Sequence, residues 1–294
     1  MKVFVTGISG GLGREFVPYG VEGCWGSRPV QGFPQVDLTD RQATEAVLRR
    51  SRPDVVIHTV GWVDVDGCER DPSRALAVNV GTLLHLRKYS EPLGFRIVFI
   101  STNDVFSGDQ GQYREEARPD PVNVYAQTKA AAEALLRPGD LIVRASLLSW
   151  NCNGKVSFVR WLIDSLDRED TPSLFVDQFT SPVTARTLAR LLMEGLLERT
   201  GILHFATERR SRFEIGRALA RGLDRDPEKI REGSLNDHGF VARRPRDVSL
   251  NSDRLTKILG KPLTLEEEVA VLGDDRPKSS SGRRNKPSSR SISP

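Results

Sequence analysis

Tyr125 and Lys129 lie four positions apart in the stretch Val-Tyr-Ala-Gln-Thr-Lys-Ala. On a helix, residues i and i+4 project from one face, so a phenol and an ammonium meet at one site. An unperturbed tyrosine ionises near ~10, too high for easy proton exchange at neutral pH. A neighbouring lysine charge stabilises the phenolate and is expected to bring that value toward working range. Tyr-x-x-x-Lys is common by chance and gains weight here from Ser101-Thr102, about one strand–helix unit upstream. A hydroxyl at the end of the strand signal Ile97–Ile100 lies where open α/β sheets bind ligands. The expected chemistry is carbonyl reduction: Thr102 holds the carbonyl, Tyr125 gives a proton and a nicotinamide gives hydride.

A second chemical element is Thr6-Gly7-Ile8-Ser9-Gly10-Gly11-Leu12-Gly13, between a first strand signal and a first helix. Gly7 permits the tight turn, Gly10 lets backbone approach a pyrophosphate, and Gly13 allows close helix–strand packing. Free N–H groups and the helix dipole favour an anion there, so Gly7 and Ser9 through Gly13 are expected to bind a dinucleotide. Near the end of the second strand, an acidic residue would accept bonds from a ribose hydroxyl and repel a 2′-phosphate. This chain carries Ser27 and Arg28 instead, which predicts NADP(H), with a merely solvent-facing Arg28 as the alternative. Asp37 and Leu38 follow the third strand signal and are expected at the adenine edge, and Val60 beside the cofactor.

These residues need a scaffold. Short apolar runs at Val3–Val5, Val55–Thr59, Ile97–Ile100 and Leu141–Val143 alternate with helical patterns at Arg41–Arg50, Ala75–Ser90 and Val124–Leu136. Near-continuous β-branched runs suit strands buried on both faces of a parallel sheet. The alternation predicts an α/β fold with a doubly wound parallel (Rossmann) sheet and a smaller C-terminal substrate-binding lobe. The expected division is a cofactor domain over 1–150, to which 183–206 returns, and a substrate lobe mainly over 151–272. Residues 274–294 carry the whole net charge of +4 in a Ser/Pro/Arg-rich segment, so a disordered basic tail over 273–294 is expected, not a nucleic-acid-binding face. No apolar run approaches the ~20 residues of a membrane-spanning helix. The chain opens on strand-like Lys2-Val3-Phe4-Val5, so no signal peptide is expected. Cys24, Cys68 and Cys152 lack zinc-type spacing and are read as reduced thiols, which predicts a cytoplasmic protein without a metal.

The glycine motif, Asp37-Leu38-Thr39-Asp40, Val63–Glu69, Ser101–Phe106, Tyr125–Lys129 and Asp177-Gln178-Phe179-Thr180-Ser181-Pro182 follow one another in an order that resembles extended short-chain dehydrogenases/reductases. The best match is the dTDP-4-dehydrorhamnose reductase branch, and the likeness runs on to Ala242-Arg243-Arg244-Pro245-Arg246. The resemblance implies reduction of a 4-keto nucleotide sugar, with Thr102, Tyr125 and Lys129 as the catalytic set. It also implies a second-lobe pocket, for which Gln178, Arg244 and Asp104 are the candidate substrate contacts. Departures fall on the substrate side: Asn103-Asp104 replaces the family's usual Asp-Tyr, and His58 replaces its usual Asn. The β subunit of methionine adenosyltransferase resembles the same branch, which admits a non-catalytic NADP(H)-binding regulatory subunit. An epimerase or dehydratase with tightly held cofactor is a further alternative, and a homodimer is left open.

Other residues have plainer readings. His58 ends a buried strand and is expected to be packed or cap-bonded. Asp64, Asp66 and Glu69 suit strand-to-helix capping and solvent exposure without a metal. Arg243, Arg244 and Arg246 suit either a substrate pyrophosphate or surface salt bridges. Trp62, Trp150 and Trp161 are expected in the core or at the lobe interface.

Overall fold

The computed structural model describes residues 1–150 and 156–276. Among them, seven parallel strands form one sheet: β1 (Val3–Thr6), β2 (Glu22–Cys24), β3 (Val55–His58), β4 (Arg96–Ile100), β5 (Leu141–Leu148), β6 (Pro182–Thr184) and β7 (Gly201–Phe205). The order is β2-β1-β3-β4-β5, after which β5 divides its edge. Its first half pairs with β7 (Leu141 with Gly201 through Ala145 with Phe205), and its second half with β6 (Ser146 with Pro182 through Leu148 with Thr184). The chain leaves β1 for β2 on one side and returns to β3 on the other. The crevice beyond the carboxyl ends of β1 and β3 is therefore the topological switch point, where such sheets bind ligands.

Strand alternation divides the sheet's core into two layers. Val3, Val5, Val55, Ile57, Val98 and Val143 face Leu188 and Leu192 of α7 (Ala185–Met193). Phe4, Val56, Ile97 and Phe99 face Val47 and Leu48 of α1 (Arg41–Ser51) and Leu83 and Leu86 of α4 (Thr82–Leu93). A third cluster meets the sheet at Leu148 of β5. In it α6 (Phe158–Asp167), α8 (Arg212–Gly222) and α10 (Leu265–Asp274) pack around Leu162, Leu219 and Leu272. Trp150 joins this cluster, and its indole N–H donates to Leu272 O at 2.8 Å. The remaining helices are α2 (Val65–Arg70), α3 (Pro72–Leu76), α5 (Val124–Glu133) and α9 (Asp253–Leu259).

Two local features depart from a plain helix pattern. The helix after the glycine turn is a seven-residue 3-10 segment, Gly13–Tyr19. Pro18 lacks an N–H donor and Gly20 adopts φ 68°, so the helix stops early. The expected helix over Ala75–Ser90 is interrupted by a π-helical turn, Ala77–Gly81. Asn79 lies in that turn and is buried, where its side chain accepts from Trp62 N–H at 2.6 Å and donates to Thr128 Oγ1 at 2.9 Å. One asparagine thereby ties the loop after β3 to the helix that carries Tyr125. Cys24 and Cys68 are buried, Cys68 Sγ donating to Trp62 O at 3.2 Å, whereas Cys152 and the basic tail from residue 277 onward lie outside the described residues. No helix among the described residues is long and apolar enough to cross a membrane.

Candidate active site

Helix α5 is held at its start by three contacts. Asn123 caps it, accepting from Ala126 N–H at 2.9 Å and donating to Arg243 O at 2.9 Å, while Glu69 accepts from Val124 N–H at 3.0 Å. Held this way, α5 places Tyr125 and Lys129 against the carboxyl end of β4. Thr102, the residue after Ser101 at that strand end, lines the same cavity as Tyr125, and its Oγ1 accepts from Asp104 N–H at 3.2 Å. Lys129 Nζ donates to Ile100 O at 2.7 Å and lies 4.0 Å from the Phe99 ring centroid.

The electrostatics correct one sequence expectation. Burial first, then the Asp104 carboxylate, hold the Tyr125 phenol well above its usual ionisation range, with the Thr102 hydroxyl opposing them. Lys129 does not offset this; its own ammonium is destabilised by burial to a pKa of about 7, with Glu133 one turn on opposing the fall. The reason is geometric, because the ammonium is tied to the Ile100 carbonyl and the tyrosine is desolvated. His58 is packed as expected: Nδ1 contacts Thr6 Oγ1 at 2.9 Å and Nε2 contacts Thr82 Oγ1 at 3.1 Å. Burial, then Lys129, lowers its pKa to about 3.

The glycine turn leaves no space for side chains at two positions. Gly7 has φ 69°, and a Cβ on Gly13 would lie 2.2 Å from Gly7 O and 2.8 Å from Ile8 Cα. Gly10, Gly11, Leu12 and Gly13 line a cavity of about 660 Å³, which Thr102, Tyr125 and Lys129 line as well. Asp104, Gln178, Arg212 and Arg244 add polar side chains to the same lining. Arg244 pairs with Asp66 at 2.9 Å and donates to Ala242 O at 3.1 Å. Asp104 is held above the usual carboxylate range by burial, against the opposing pull of Arg212 and Arg244.

A family model described as the RmlD substrate binding domain matches residues 1–274, nearly the whole chain. The chain belongs to this family. A probable low-salt glycan biosynthesis reductase of Haloferax volcanii is 30% identical over 92% of this chain and 97% of its own length. A dTDP-4-dehydrorhamnose reductase of Mycobacterium tuberculosis is 34% identical over 85% of each chain. Among solved structures, a hypothetical dTDP-4-dehydrorhamnose reductase from Sulfolobus tokodaii superposes with TM-score 0.81 at 33% identity, covering 90% of this chain and 98% of its own. A dTDP-4-dehydrorhamnose reductase from Bacillus anthracis, solved in complex with NADP, shares the fold with TM-score 0.81 at 24% identity, covering 94% of this chain and all of its own.

Within this RmlD-family cavity the structure gathers Gly10 to Gly13, Ser27, Val60, Thr102, Asp104, Tyr125, Lys129, Gln178 and Arg244. Five predicted residues lie outside its lining. Gly7 shapes the turn behind it, and Ser9 O accepts from Arg14 Nε at 3.3 Å. Arg28 is exposed, Asp37 binds Thr39 Oγ1 at 2.7 Å, and Leu38 is buried against α1 and α4. Of the acidic trio, Asp64 does cap α2, accepting from Gly67 N–H at 3.1 Å. Asp66 and Glu69 differ from the solvent-exposed reading, because each is bonded to another segment. Sequence reasoning missed Arg212, Trp62 and Arg74, which also line the cavity. Arg212 follows Ser211, whose capping box with Glu214 is legible as Ser-x-x-Glu, yet nothing local marks the arginine as inward-facing.

Proposed function

We propose that this chain is an NADPH-dependent oxidoreductase that reduces the keto group of a nucleotide-linked 4-keto-6-deoxy sugar, with Tyr125 as proton donor. The observation that carries the reading is that one cavity is lined by Thr102, Tyr125 and Lys129 together with the glycine turn Gly10 to Gly13 and the polar side chains of Gln178, Arg212 and Arg244. The names of the two relatives above, a probable glycan biosynthesis reductase and a dTDP-4-dehydrorhamnose reductase, support the same class.

The residues present fit a dinucleotide. A turn that excludes side chains at Gly7 and Gly13 leaves room for a pyrophosphate against the backbone of Gly10 to Gly13. Ser27, then Arg28, occupy the positions where an acidic residue would oppose a 2′-phosphate, with Asp37, Leu38 and Val60 proposed on the adenine and nicotinamide sides. Such a cofactor, when bound, supplies hydride to the carbonyl carbon. Thr102 and Tyr125 donate hydrogen bonds to the carbonyl oxygen, and Tyr125 releases its proton as that oxygen gains charge. Burial and Asp104 keep the phenol protonated until then, which is the state a reductase needs. A charged Lys129 favours the phenolate left behind.

The test is NADPH consumption by the purified chain with dTDP-4-keto-6-deoxyglucose, beside NADH and Tyr125→Phe controls. Turnover is expected to require NADPH and to fall by ~10²–10⁴-fold in Tyr125→Phe. Unchanged turnover in that variant refutes the role of Tyr125. Tight NADPH binding without turnover, together with a stoichiometric copurifying partner, would favour the regulatory-subunit alternative.

A further inference from the structure

The cavity lining carries a carboxylate, Asp104, and a guanidinium, Arg212, that are not joined to each other. Asp104 stands two residues past Thr102, and its N–H donates to Thr102 Oγ1 at 3.2 Å, which fixes it beside the catalytic hydroxyl. Among the described residues, no hydrogen bond and no ion pair within 4.0 Å reaches its carboxylate oxygens. Arg212 opens α8, where its backbone N–H donates to Gln178 O at 2.9 Å and its Nε to Gln178 Oε1 at 3.4 Å. The guanidinium lies 4.8 Å from the Phe158 ring centroid, and its terminal nitrogens have no hydrogen-bond partner among the described residues. Arg244, by contrast, is already committed to Asp66 and Ala242 O.

A carboxylate and a guanidinium taken out of water are costly unless their lone pairs and protons are satisfied. Between an acceptor-only group and a donor-only group, the ligand that satisfies both is one that donates and accepts at once. A hydroxyl does so; a carbonyl only accepts, an ammonium only donates, and a methylene does neither. Asp104 lies on the same short segment as Thr102, so the hydroxyl it meets belongs to a carbon next to the one held by Thr102 and Tyr125.

We infer that Asp104 and Arg212 form a specificity pair that reads the hydroxyl adjacent to the reacting carbonyl, Asp104 accepting its hydrogen bond and Arg212 donating to its oxygen. This rests on the keto-sugar reading above and adds to it the requirement that the substrate keep its 3-hydroxyl.

The experiment is calorimetric titration of the full chain, saturated with NADP+, with dTDP-6-deoxyglucose and with its 3-deoxy counterpart. The unmodified chain is expected to prefer the 3-hydroxy sugar by about 10–100-fold, the range for hydrogen bonds to charged groups. In Asp104→Ala and Arg212→Gln that preference collapses, chiefly through weaker binding of the 3-hydroxy sugar. Asp104→Asn keeps the side-chain shape and retains an intermediate preference, which serves if the alanine variant fails to fold. NADP+ binding by each variant reports that the cofactor half is intact. Equal affinity for both sugars in the unmodified chain overturns the pair, as does an undiminished preference in Asp104→Ala. Discrimination without keto-sugar turnover upholds the pair and removes the reductase proposal, whereas turnover without discrimination does the reverse. Binding of neither sugar overturns the pair, and keto-sugar turnover then decides the reductase proposal by itself.

Discussion

Replacing Glu133 is expected to cost this protein more than any other single polar change near the site. Glu133 and Arg144 are buried together, with side chains 6% and 1% exposed. The guanidinium grips the carboxylate through Nε at 3.0 and 3.2 Å and through Nη2 at 2.6 Å, and Ser101 Oγ donates to Oε1 at 2.5 Å. In Glu133→Ala these bonds vanish and Arg144 is left as a buried cation beside His204. Breaking such a pair by removing one partner costs about 3–5 kcal/mol. At roughly 2–4 °C per kcal/mol for a chain of this size, the thermal midpoint falls by about 6–20 °C. Replacing both partners, as Glu133→Leu with Arg144→Met, leaves no orphaned charge and is expected to recover much of the loss. The site feels the same change, because Glu133 is the group that opposes the fall of the Lys129 pKa. In Glu133→Gln, Lys129 loses its proton at lower pH, so activity that depends on its charge falls away earlier on the alkaline side. Urea unfolding of the unmodified chain, Glu133→Leu, Arg144→Met and the double variant, with a pH–rate profile for Glu133→Gln, tests the reasoning. A single-variant loss under about 1 kcal/mol, or additive losses in the double variant, refutes it.

Gly13→Ala places a methyl group 2.2 Å from the backbone oxygen of Gly7, which cannot swing aside. It is expected to destabilise the chain by about 1–3 kcal/mol and to weaken NADPH binding, read by denaturation and fluorescence titration; wild-type affinity would count against a close-packed turn. Lys129, with its pKa lowered to about 7 by burial, binds fewer protons folded than unfolded between that value and 10.5. Cofactor-free stability should therefore rise with pH across this window, and Lys129→Met should lose that rise. His58 runs the same logic at lower pH: its pKa falls from 6.5 to about 3 on folding, so stability falls as pH drops through this interval. Midpoints measured from pH 7 to 4 should fall less steeply in His58→Asn; parallel curves would mean that His58 carries none of the effect.

Much of the scaffold was legible because its signals are local. Continuous β-branched runs at β1, β3, β4 and β5 imply burial on both faces, and the two layers built on Val5 and Phe4 are that alternation realised. The i to i+4 spacing of Tyr125 and Lys129, and the glycines at 7, 10 and 13, likewise follow from backbone geometry alone. What escaped was set by chain segments distant in sequence. The shift of β5 from β7 to β6 along its length has no local marker, since each half is simply apolar. Arg212 and Asp104 are ordinary charged residues in their own neighbourhoods, and only the packing of α8 across from β4 turns them toward one cavity.

The sign of the Tyr125 shift shows the same division. Sequence spacing brings a lysine to the right helix face, from which a lowered phenol pKa would follow. Tertiary structure reverses it, because desolvation and a carboxylate one βα unit away outweigh an ammonium bound to a strand-end carbonyl. Residue type and period thus determined the fold class, the glycine turn and the helix face shared by Tyr125 and Lys129, all functions of neighbours within a few positions. Folding decided the charges, because a group's ionisation depends on every dipole and side chain packed around it, and those come from the whole chain.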